Sequence, residues 1–270
     1  MKRIKAIIML LMAMPTVYLW GQGNRIVTNT RMVGIGTAEA LDTYLSPLHY
    51  SGPELRFISH TLRERTDSTR LFHQIIHQGN LSILDNKSGY GGEMAGNYNF
   101  QYGWHWRLYD HHFSGSSLSI SAGGNIDANI GFIYNTRNSN NPAQAKAYLN
   151  ITPTAAAVYT IQWHHPVALR YEIGIPVAGI MFSPNYGQSY YEIFSKGNYD
   201  HNIVPTWPGN APSMRQALTV DYNLWGTTWR IGYLGDYQQA KVNHLKSHVY
   251  THAFVIGVVR KFSVKKIKQP

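Results

Sequence analysis

Cysteine is absent from the 270-residue chain, and only 14% of its residues are Asp, Glu, Lys or Arg. The lack of cysteine excludes a disulfide scaffold, a thiolate metal site, a Cys nucleophile and an N-terminal lipoprotein anchor. Low charge together with 13% aromatic residues is unlike a disordered chain, which favours charge and avoids aromatics. Beyond the N-terminal segment, no stretch reaches the roughly 18 apolar residues that a membrane-spanning helix needs. A bundle of membrane helices is therefore excluded.

The N-terminal segment has the layout of a secretory signal peptide. Three basic residues precede an apolar run over 6–20, and 21–23 supplies small residues for cleavage. We predict a signal peptide over 1–23 and one mature domain over 24–270. The leader carries three Lys or Arg and no acid, so the formal charge of +10 falls to +7 on cleavage. This mild positive charge does not predict nucleic acid as a partner.

Alternation of apolar and polar residues is the main structural signal in the chain. Within 94–108, 118–134 and 145–163, every second residue is apolar or aromatic and most of the residues between are polar. Because side chains alternate across a strand, each segment has one apolar and one polar face. Strands of soluble sheets run for about 5–6 residues, whereas these runs are several times longer. Such strands predict a sheet whose apolar face meets lipid, and in lipid the sheet must close.

Weaker alternation completes a count of about ten strands, within a range of 8–12. The further predicted strands lie near 26–40, 53–64, 70–86, 167–177, 214–224, 229–237 and 249–262. The predicted fold class is all-β: a single closed antiparallel transmembrane β-barrel with long extracellular loops, inserted into outer-membrane lipid. The predicted extracellular loops are 41–52, 135–144, 182–212 and 239–248. The predicted periplasmic turns are 65–69, 110–115, 164–166 and 225–227.

Three segments resemble known outer-membrane sequences. Gly257–Phe262 resembles the C-terminal assembly signal of outer-membrane barrels, in which an aromatic residue follows a glycine at the end of the last strand. The resemblance implies the barrel-assembly machinery as a partner. Segments 137–142 and 182–192 resemble an uncharacterised family of Bacteroidetes-type outer-membrane proteins. That family has no assigned activity, so the resemblance implies a fold and a location but transfers no catalytic residue.

Histidine is abundant, with 13 residues, but its spacing does not predict a metal site. The adjacent pairs His111-His112 and His164-His165 fall in predicted turns, and neighbouring strand residues point to opposite faces. His112 and Ser114 have the i, i+2 spacing that lets a barrel lipase align its base and nucleophile on one strand face. The residues that follow Ser114 differ from those of the barrel lipase motif. The predicted periplasmic position is also the wrong one for an enzyme that acts on lipid of the outer leaflet. We therefore expect no catalytic residue, no metal and no cofactor.

Two sets of residues are candidate functional sites. The first set is a polar network on the lumen face: Arg107, Asp127, Lys146, Arg170, Glu172, Arg215, Asp221 and Arg230. Buried charges must pair, so these residues form either a plug or the lining of a selective channel. The second set is aromatic and lies in the loop 182–212: Tyr186, Tyr190, Tyr191, Phe194 and Trp207. These rings either contact a glycan or lipid ligand, or fold inward as a cap.

The combined prediction is an integral outer-membrane barrel without enzymatic activity, which is structural or contacts a ligand through its aromatic loop. A narrow transport channel is the first alternative. An outer-membrane lipid-modifying enzyme is the second.

Overall fold

The computed structural model describes residues 25–66, 70–89, 91–139 and 141–264. The predicted signal peptide lies outside the described residues. Among the residues that are described, no helix is both long and apolar enough to cross a bilayer. The strands are β1 (Arg25–Asp42), β2 (Ser46–Arg65), β3 (Leu71–Asn86), β4 (Gly92–Phe113), β5 (Ser116–Asn135), β6 (Ala143–Ile161), β7 (Val167–Gly174), β8 (Ala178–Phe182), β9 (Ile203–Thr206), β10 (Met214–Leu224), β11 (Thr227–Val242) and β12 (Leu245–Val264); the helix α1 is Tyr190–Phe194.

The described strands form a closed barrel of ten antiparallel strands, which confirms the predicted fold class. Strands adjacent in sequence pair with each other, and β1 pairs with β12 to close the sheet. The seventh barrel strand consists of β7 followed by β8, and the eighth consists of β9 followed by β10. We call the end of the barrel where β1 begins and β12 ends the terminal end, and the opposite end the loop end.

Alternation separates the outer face of the barrel from its lumen. Ile126 is 51% exposed on the outer face, whereas the preceding residue, Asn125, is 2% exposed inside. The strands β1 to β6 run for 16 to 22 residues, as the long alternating runs of the sequence predict. The outer face therefore presents a broad apolar surface, and the polar side chains face inward.

Two predicted loops at the loop end are wrong. Most of 41–52 and 239–248 belongs to strands, and the connections are only the turn 43–45 and the two residues Asn243 and His244. Both residues of the second turn have positive φ, 49° and 61°, which is the type I′ geometry that joins two long strands directly. The connections 136–142 and 183–202 are long, as predicted. The four connections at the terminal end are short, and this is also confirmed.

β2 begins at Ser46, seven residues before the predicted strand 53–64, and Pro53 lies inside it. The missing N–H of a proline would normally break a central ladder. The pairing of β2 with β3 passes from Ser51 directly to Glu54, so Pro53 is left out of that ladder while it pairs with Thr37 of β1. A strand can therefore continue through a residue that usually marks its end.

The lumen is less uniformly polar than its sequence pattern predicts. Two buried apolar clusters line it, one nearer the loop end and one nearer the middle of the barrel. The first contains Ala38, Ala40, Leu45, Tyr50, Leu84, Ala95 and Ile133. The second contains Met32, Ile58, Ile76, Leu234, Ala253 and Val255. Polar layers lie between the two clusters and on the terminal side of the second cluster, so the interior is layered.

Candidate functional site

The central polar layer of the lumen is an ion-pair network around Asp236 of β11. Arg215 Nη2 lies 2.9 Å from Asp236 Oδ2, and Arg56 Nη1 lies 3.5 Å from the same oxygen. Arg56 also contacts Glu54 of β2, with 2.6 Å between Nε and Oε1. Two cations and two anions thus balance inside the barrel, as buried charges require.

The central network reaches the opposite wall of the barrel. Arg215 Nη1 donates to Asn99 Oδ1 at 2.9 Å, and Gln78 Nε2 donates to Asp236 Oδ2 at 3.2 Å. Asn99 Nδ2 in turn donates to Asp127 Oδ1 at 2.5 Å. Asn99 lies on β4 and Arg215 on β10, which are four barrel strands apart. These hydrogen bonds therefore span the lumen.

Two further contacts cross the lumen, one toward each end. Toward the loop end, Lys146 Nζ of β6 lies 2.6 Å from Asp42 Oδ2 of β1. Toward the terminal end, Gln74 Nε2 of β3 donates to Glu172 Oε1 of β7 at 2.5 Å. Arg170, on the same strand, places its Nη1 4.0 Å from Glu172 Oε2. The lumen is thus bridged by its own side chains at three levels.

The remaining predicted lumen residues form pairs along the wall rather than across it. Arg230 Nε lies 2.6 Å from Asp221 Oδ1, and the two residues are register partners on β11 and β10. Arg107 Nη2 lies 2.7 Å from Glu64 Oε1. These contacts join neighbouring parts of the wall in the terminal half of the barrel. They do not bridge the lumen.

Sequence reasoning missed several residues of this network. The missed residues are Asp42, Glu54, Arg56, Gln74 and Gln78. Asp42 was assigned to a loop, and the alternation of β2 is mixed because apolar Ile58 faces the lumen beside Arg56. The available signal was Glu54 and Arg56 separated by Leu55, a polar–apolar–polar triplet that the nearby prolines obscured.

A cavity of about 130 Å³ lies beside the central network. Its lining is partly apolar, with Met32, Ile76 and Leu234, and partly charged, with Asp127 and Arg215. A space of this size and mixed lining suits a small amphipathic molecule.

The barrel wall next to this cavity contains a break in strand pairing. Gly174 pairs with Arg215, and the next pair between the seventh and eighth barrel strands is Gly179 with Thr206. Four residues, 175–178, therefore face the eight residues 207–214. Segment 207–213 is instead held by β11, since Lys241 N–H donates to the Asn210 carbonyl at 2.7 Å and Gln239 N–H to Ser213 Oγ at 3.1 Å. Three residues at the break, Ser213, Met214 and Gln239, line both the cavity and a groove on the outer face.

The long loop 183–202 is ordered by its own hydrogen bonds. A capping box begins α1: Glu192 N–H donates to Ser189 Oγ, and Ser189 N–H donates to Glu192 Oε2. The hydrogen bond from Ser189 holds the pKa of the Glu192 carboxyl below its usual value. Asn202 Nδ2 donates to Gln188 Oε1 at 2.7 Å. Asn243, in the β11–β12 turn, donates to the His201 carbonyl at 2.9 Å and thus joins the loop to the barrel.

Tyr190 attaches the helix α1 to the barrel rim. Its hydroxyl donates to Gln144 Oε1 at 2.8 Å and accepts from Ala145 N–H at 2.7 Å. Its ring packs edge-on against Tyr44, with centroids 5.8 Å apart. Burial raises the pKa of both phenols, that of Tyr44 to about 12, with a further contribution from the Asp42 carboxylate.

The other predicted loop aromatics are exposed, although the Phe194 ring also stacks on Tyr190 and on Phe182 of β8. Tyr186, Tyr191 and Phe194 are 74%, 64% and 63% exposed. Tyr199, a further aromatic residue of the loop, is equally exposed. Trp207 is exposed too, but it lies in the wall segment beside the cavity rather than on α1. The loop is thus both a cap, through Tyr190, and a surface of outward rings.

One of the two histidine pairs lies where it was predicted, and the other does not. His111 and His112 belong to the end of β4 rather than to a turn, because the turn is reduced to Ser114 and Gly115. His164 and His165 do lie in the connection between β6 and β7. All four are exposed, and among the described residues none of them belongs to a group of three ligand-type side chains.

Comparison with solved structures returns outer-membrane barrels at low sequence identity. The chain is similar to the transport unit of the autotransporter AIDA-I from Escherichia coli (8% identity, 94% of this chain and 97% of that chain covered, TM-score 0.42). It is also similar to the translocator domain of the autotransporter NalP from Neisseria meningitidis (11% identity, 97% and 94% covered, TM-score 0.33). A third similar structure is the COG4313 outer membrane channel from Pseudomonas putida F1 (8% identity, 92% and 99% covered, TM-score 0.34). No curated protein matches the chain. The family described as Protein of unknown function (DUF3316) matches residues 6–269, and the chain belongs to that family.

Proposed function

We propose that this protein is an integral outer-membrane barrel with a closed lumen, which contacts an extracellular ligand through the rings of loop 183–202. The apolar outer face supports the membrane location. Ile35, Ile83 and Ile130 are each about two-thirds exposed on β1, β3 and β5, and a continuous belt of such residues in water would be an aggregation surface. The predicted leader over 1–23 supplies the export route that the location requires.

The exposed rings of an ordered loop carry the binding part of the proposal. Tyr186, Tyr191 and Phe194 remain exposed although the loop around them is fixed by a capping box and by Tyr190. Aromatic rings that stay exposed to water in an ordered loop are typical of a recognition surface. Their conformational entropy has already been lost on folding, so binding does not have to order them. Transport through the barrel is the less favoured function, because the protein's own side chains bridge the lumen.

The charge of the loop favours a neutral glycan as the ligand. The loop contains Lys196, Glu192 and Asp200, so it has no surplus of cations for phosphorylated lipid. Lys196 lies over the Tyr191 ring, with 5.5 Å from Nζ to the centroid, and is partly engaged there. Sugar rings stack on aromatic faces through C–H groups and need no net charge, so the exposed rings match this ligand class.

Location is tested first, by fractionation of cells that express the full chain. We expect the protein in the outer-membrane fraction, with a mobility shift on boiling and an N-terminus at Asn24. A soluble periplasmic pool without a heat shift would contradict the membrane proposal.

Ligand contact is tested with purified protein on an array of immobilised neutral oligosaccharides. The variant Tyr186→Ala/Tyr191→Ala/Phe194→Ala should lose about tenfold or more in apparent affinity, since each stacked ring contributes on the order of 1 kcal/mol. Trp225→Ala is the matched control, because Trp225 is 89% exposed but lies in the β10–β11 turn at the terminal end. Equal binding by the triple variant and the control, or no binding by the wild type, would reject the glycan proposal.

The break in the barrel wall supports a second candidate function, movement of a small amphipathic molecule between the lumen and the lipid phase. The cavity and the outer groove share Ser213, Met214 and Gln239 at that break. A disulfide introduced as Ala178→Cys/Ala211→Cys, across the break, should then slow uptake of a small amphipathic dye into proteoliposomes, relative to the same variant in its reduced form. Unchanged uptake with the disulfide formed would remove this candidate.

A further inference from the structure

Three side chains on adjacent strands meet on the outer surface near the loop end. They are Glu39 on β1, His49 on β2 and His248 on β12, and β1 lies between the other two strands. His49 Nδ1 lies 3.0 Å from Glu39 Oε1, and His248 Nε2 lies 3.9 Å from the same oxygen. The two imidazole rings have centroids 5.2 Å apart. All three potential ligand atoms lie within 4.8 Å of one another.

His248 provides an independent observation that points to a missing partner. The residue is only 6% exposed, and its ring stacks on Tyr250 with centroids 4.4 Å apart and planes 10° from parallel. Its Nε2 is buried and has no hydrogen-bond partner among the described residues. Buried polar atoms are nearly always satisfied. The ion pair between His49 and Glu39 accounts for those two residues, but leaves the buried nitrogen of His248 unexplained.

We propose that Glu39, His49 and His248 bind one divalent transition-metal ion, with Zn²⁺ as the best match. Two imidazole nitrogens and one carboxylate oxygen are the donors that Zn²⁺ accepts, at about 2.0–2.2 Å each. Tetrahedral donors at those lengths are roughly 3.3 Å apart, so the observed 3.0 and 3.9 Å separations need only small side-chain movements. Glu39 and His49 are exposed, which leaves the fourth ligand position open to water.

The position of the three ligands gives the ion a structural consequence. β1 and β12 are the first and last strands of the described barrel, and Glu39 and His248 lie on opposite sides of the line where they pair. His49 extends the site to β2. A bound ion would therefore join three strands across the closure of the barrel, and any ligand that binds only the folded state stabilises it.

Zinc binding to the purified, tag-free full chain tests the proposal by competition with a chromogenic chelator. We expect one tight site per chain, with a dissociation constant that rises about tenfold or more in His248→Ala and in Glu39→Gln. His252→Ala is the matched control, because His252 is an exposed histidine on the same strand and should leave the constant unchanged. His111→Ala/His112→Ala controls for adventitious binding by exposed histidines.

Two further measurements separate loss of the site from loss of the fold. Each variant is checked for the heat-dependent mobility shift of a folded barrel, and His248→Asn replaces His248→Ala if the alanine variant fails to fold. Co²⁺ in place of Zn²⁺ should give the visible absorption of a low-coordinate nitrogen and oxygen site in the wild type but not in folded His248 variants. Binding without one-to-one stoichiometry, or binding lost in His111→Ala/His112→Ala but kept in His248→Ala, would overturn the proposal.

Discussion

Two neighbouring residues of β5 face opposite sides of the barrel wall. Ile126 faces outward, and Asn125 faces the lumen. Asn125 is enclosed on all sides, because its Nδ2 donates to Gln101 Oε1 at 3.0 Å and a Cβ atom at Gly103 would lie only 2.0 Å from its Oδ1. The alternation in the sequence predicts that a charge at 125 is tolerated better than one at 126. The packing shows that polarity alone does not decide this, since an arginine has no room at 125.

Ile126→Arg tests the lipid-facing assignment directly. Near the middle of a membrane strand, an arginine on the lipid face should lower the free energy of unfolding by about 2–4 kcal/mol. Ile126→Phe keeps the apolar surface and is the control. The measurement is the urea midpoint of the folded fraction in lipid vesicles, read from the mobility of unboiled samples. Equal midpoints for the two variants would mean that Ile126 does not face lipid.

Asp236→Asn should be among the most damaging isosteric changes in the lumen. The substitution leaves Arg56 and Arg215 without the carboxylate they share, and breaking one partner of a buried ion network costs about 3–5 kcal/mol. Asp85→Asn on the exposed end of β3 is the matched control. The same urea titration measures both. A drop of less than 1 kcal/mol (roughly the value of an exposed pair) would show that solvent reaches the network.

At the scale of elements, the strands with unbroken alternation were predictable and those with mixed faces were not. β5 shows its two faces in the sequence because its inward positions are small or polar, with Ile133 as the exception. β2 hides them because Ile58 and Arg56 share the lumen face and Pro53 interrupts the pattern. The turn at Asn243 and His244 could not be found from the sequence, since neither residue is the Gly that usually marks a two-residue hairpin.

The candidate sites follow the same division. The eight predicted lumen residues could be selected by strand parity, but their partners across the barrel depend on the shear of the sheet, which no local pattern encodes. Tyr190 and Tyr191 are adjacent and chemically identical, yet one attaches α1 to the rim and the other is exposed. Only the start of α1, fixed by the Ser189 cap, decides which ring turns inward.

Loop 183–202 should be the region that protease reaches first in intact cells. Lys196 is exposed on this loop, whereas the terminal-end connections would face the periplasm under the proposed orientation. Trypsin should therefore cut after Lys196, and Asn243→Ala should speed that cut several-fold because Asn243 ties His201 to the β11–β12 turn. Ser88→Ala, in another loop-end turn, is the control. Cleavage only after the outer membrane is breached would mean that the orientation is inverted.

At the scale of the whole molecule, side-chain contacts bridge the lumen at three levels. We therefore expect little or no steady conductance for the purified protein in a planar bilayer. Removing 186–200 should not change this, because the contacts of Lys146, Arg215 and Gln74 lie below the loop. The variant Lys146→Ala/Arg215→Ala/Gln74→Ala should conduct measurably more than the loop deletion, provided that it keeps the heat shift. A large, stable conductance in the intact protein would favour the channel alternative instead.

The closure between β1 and β12 also has a consequence for how the chain reaches its native state. Residues 25–42 pair with residues 247–264, so the ladder that closes the barrel joins segments more than 200 residues apart in sequence. Contacts this distant give a high contact order and a slow, entropically unfavourable search. Until that ladder forms, every partly assembled sheet has two unpaired edges that can bind other chains. We therefore expect refolding to show one slow cooperative phase, with aggregation as its main competitor.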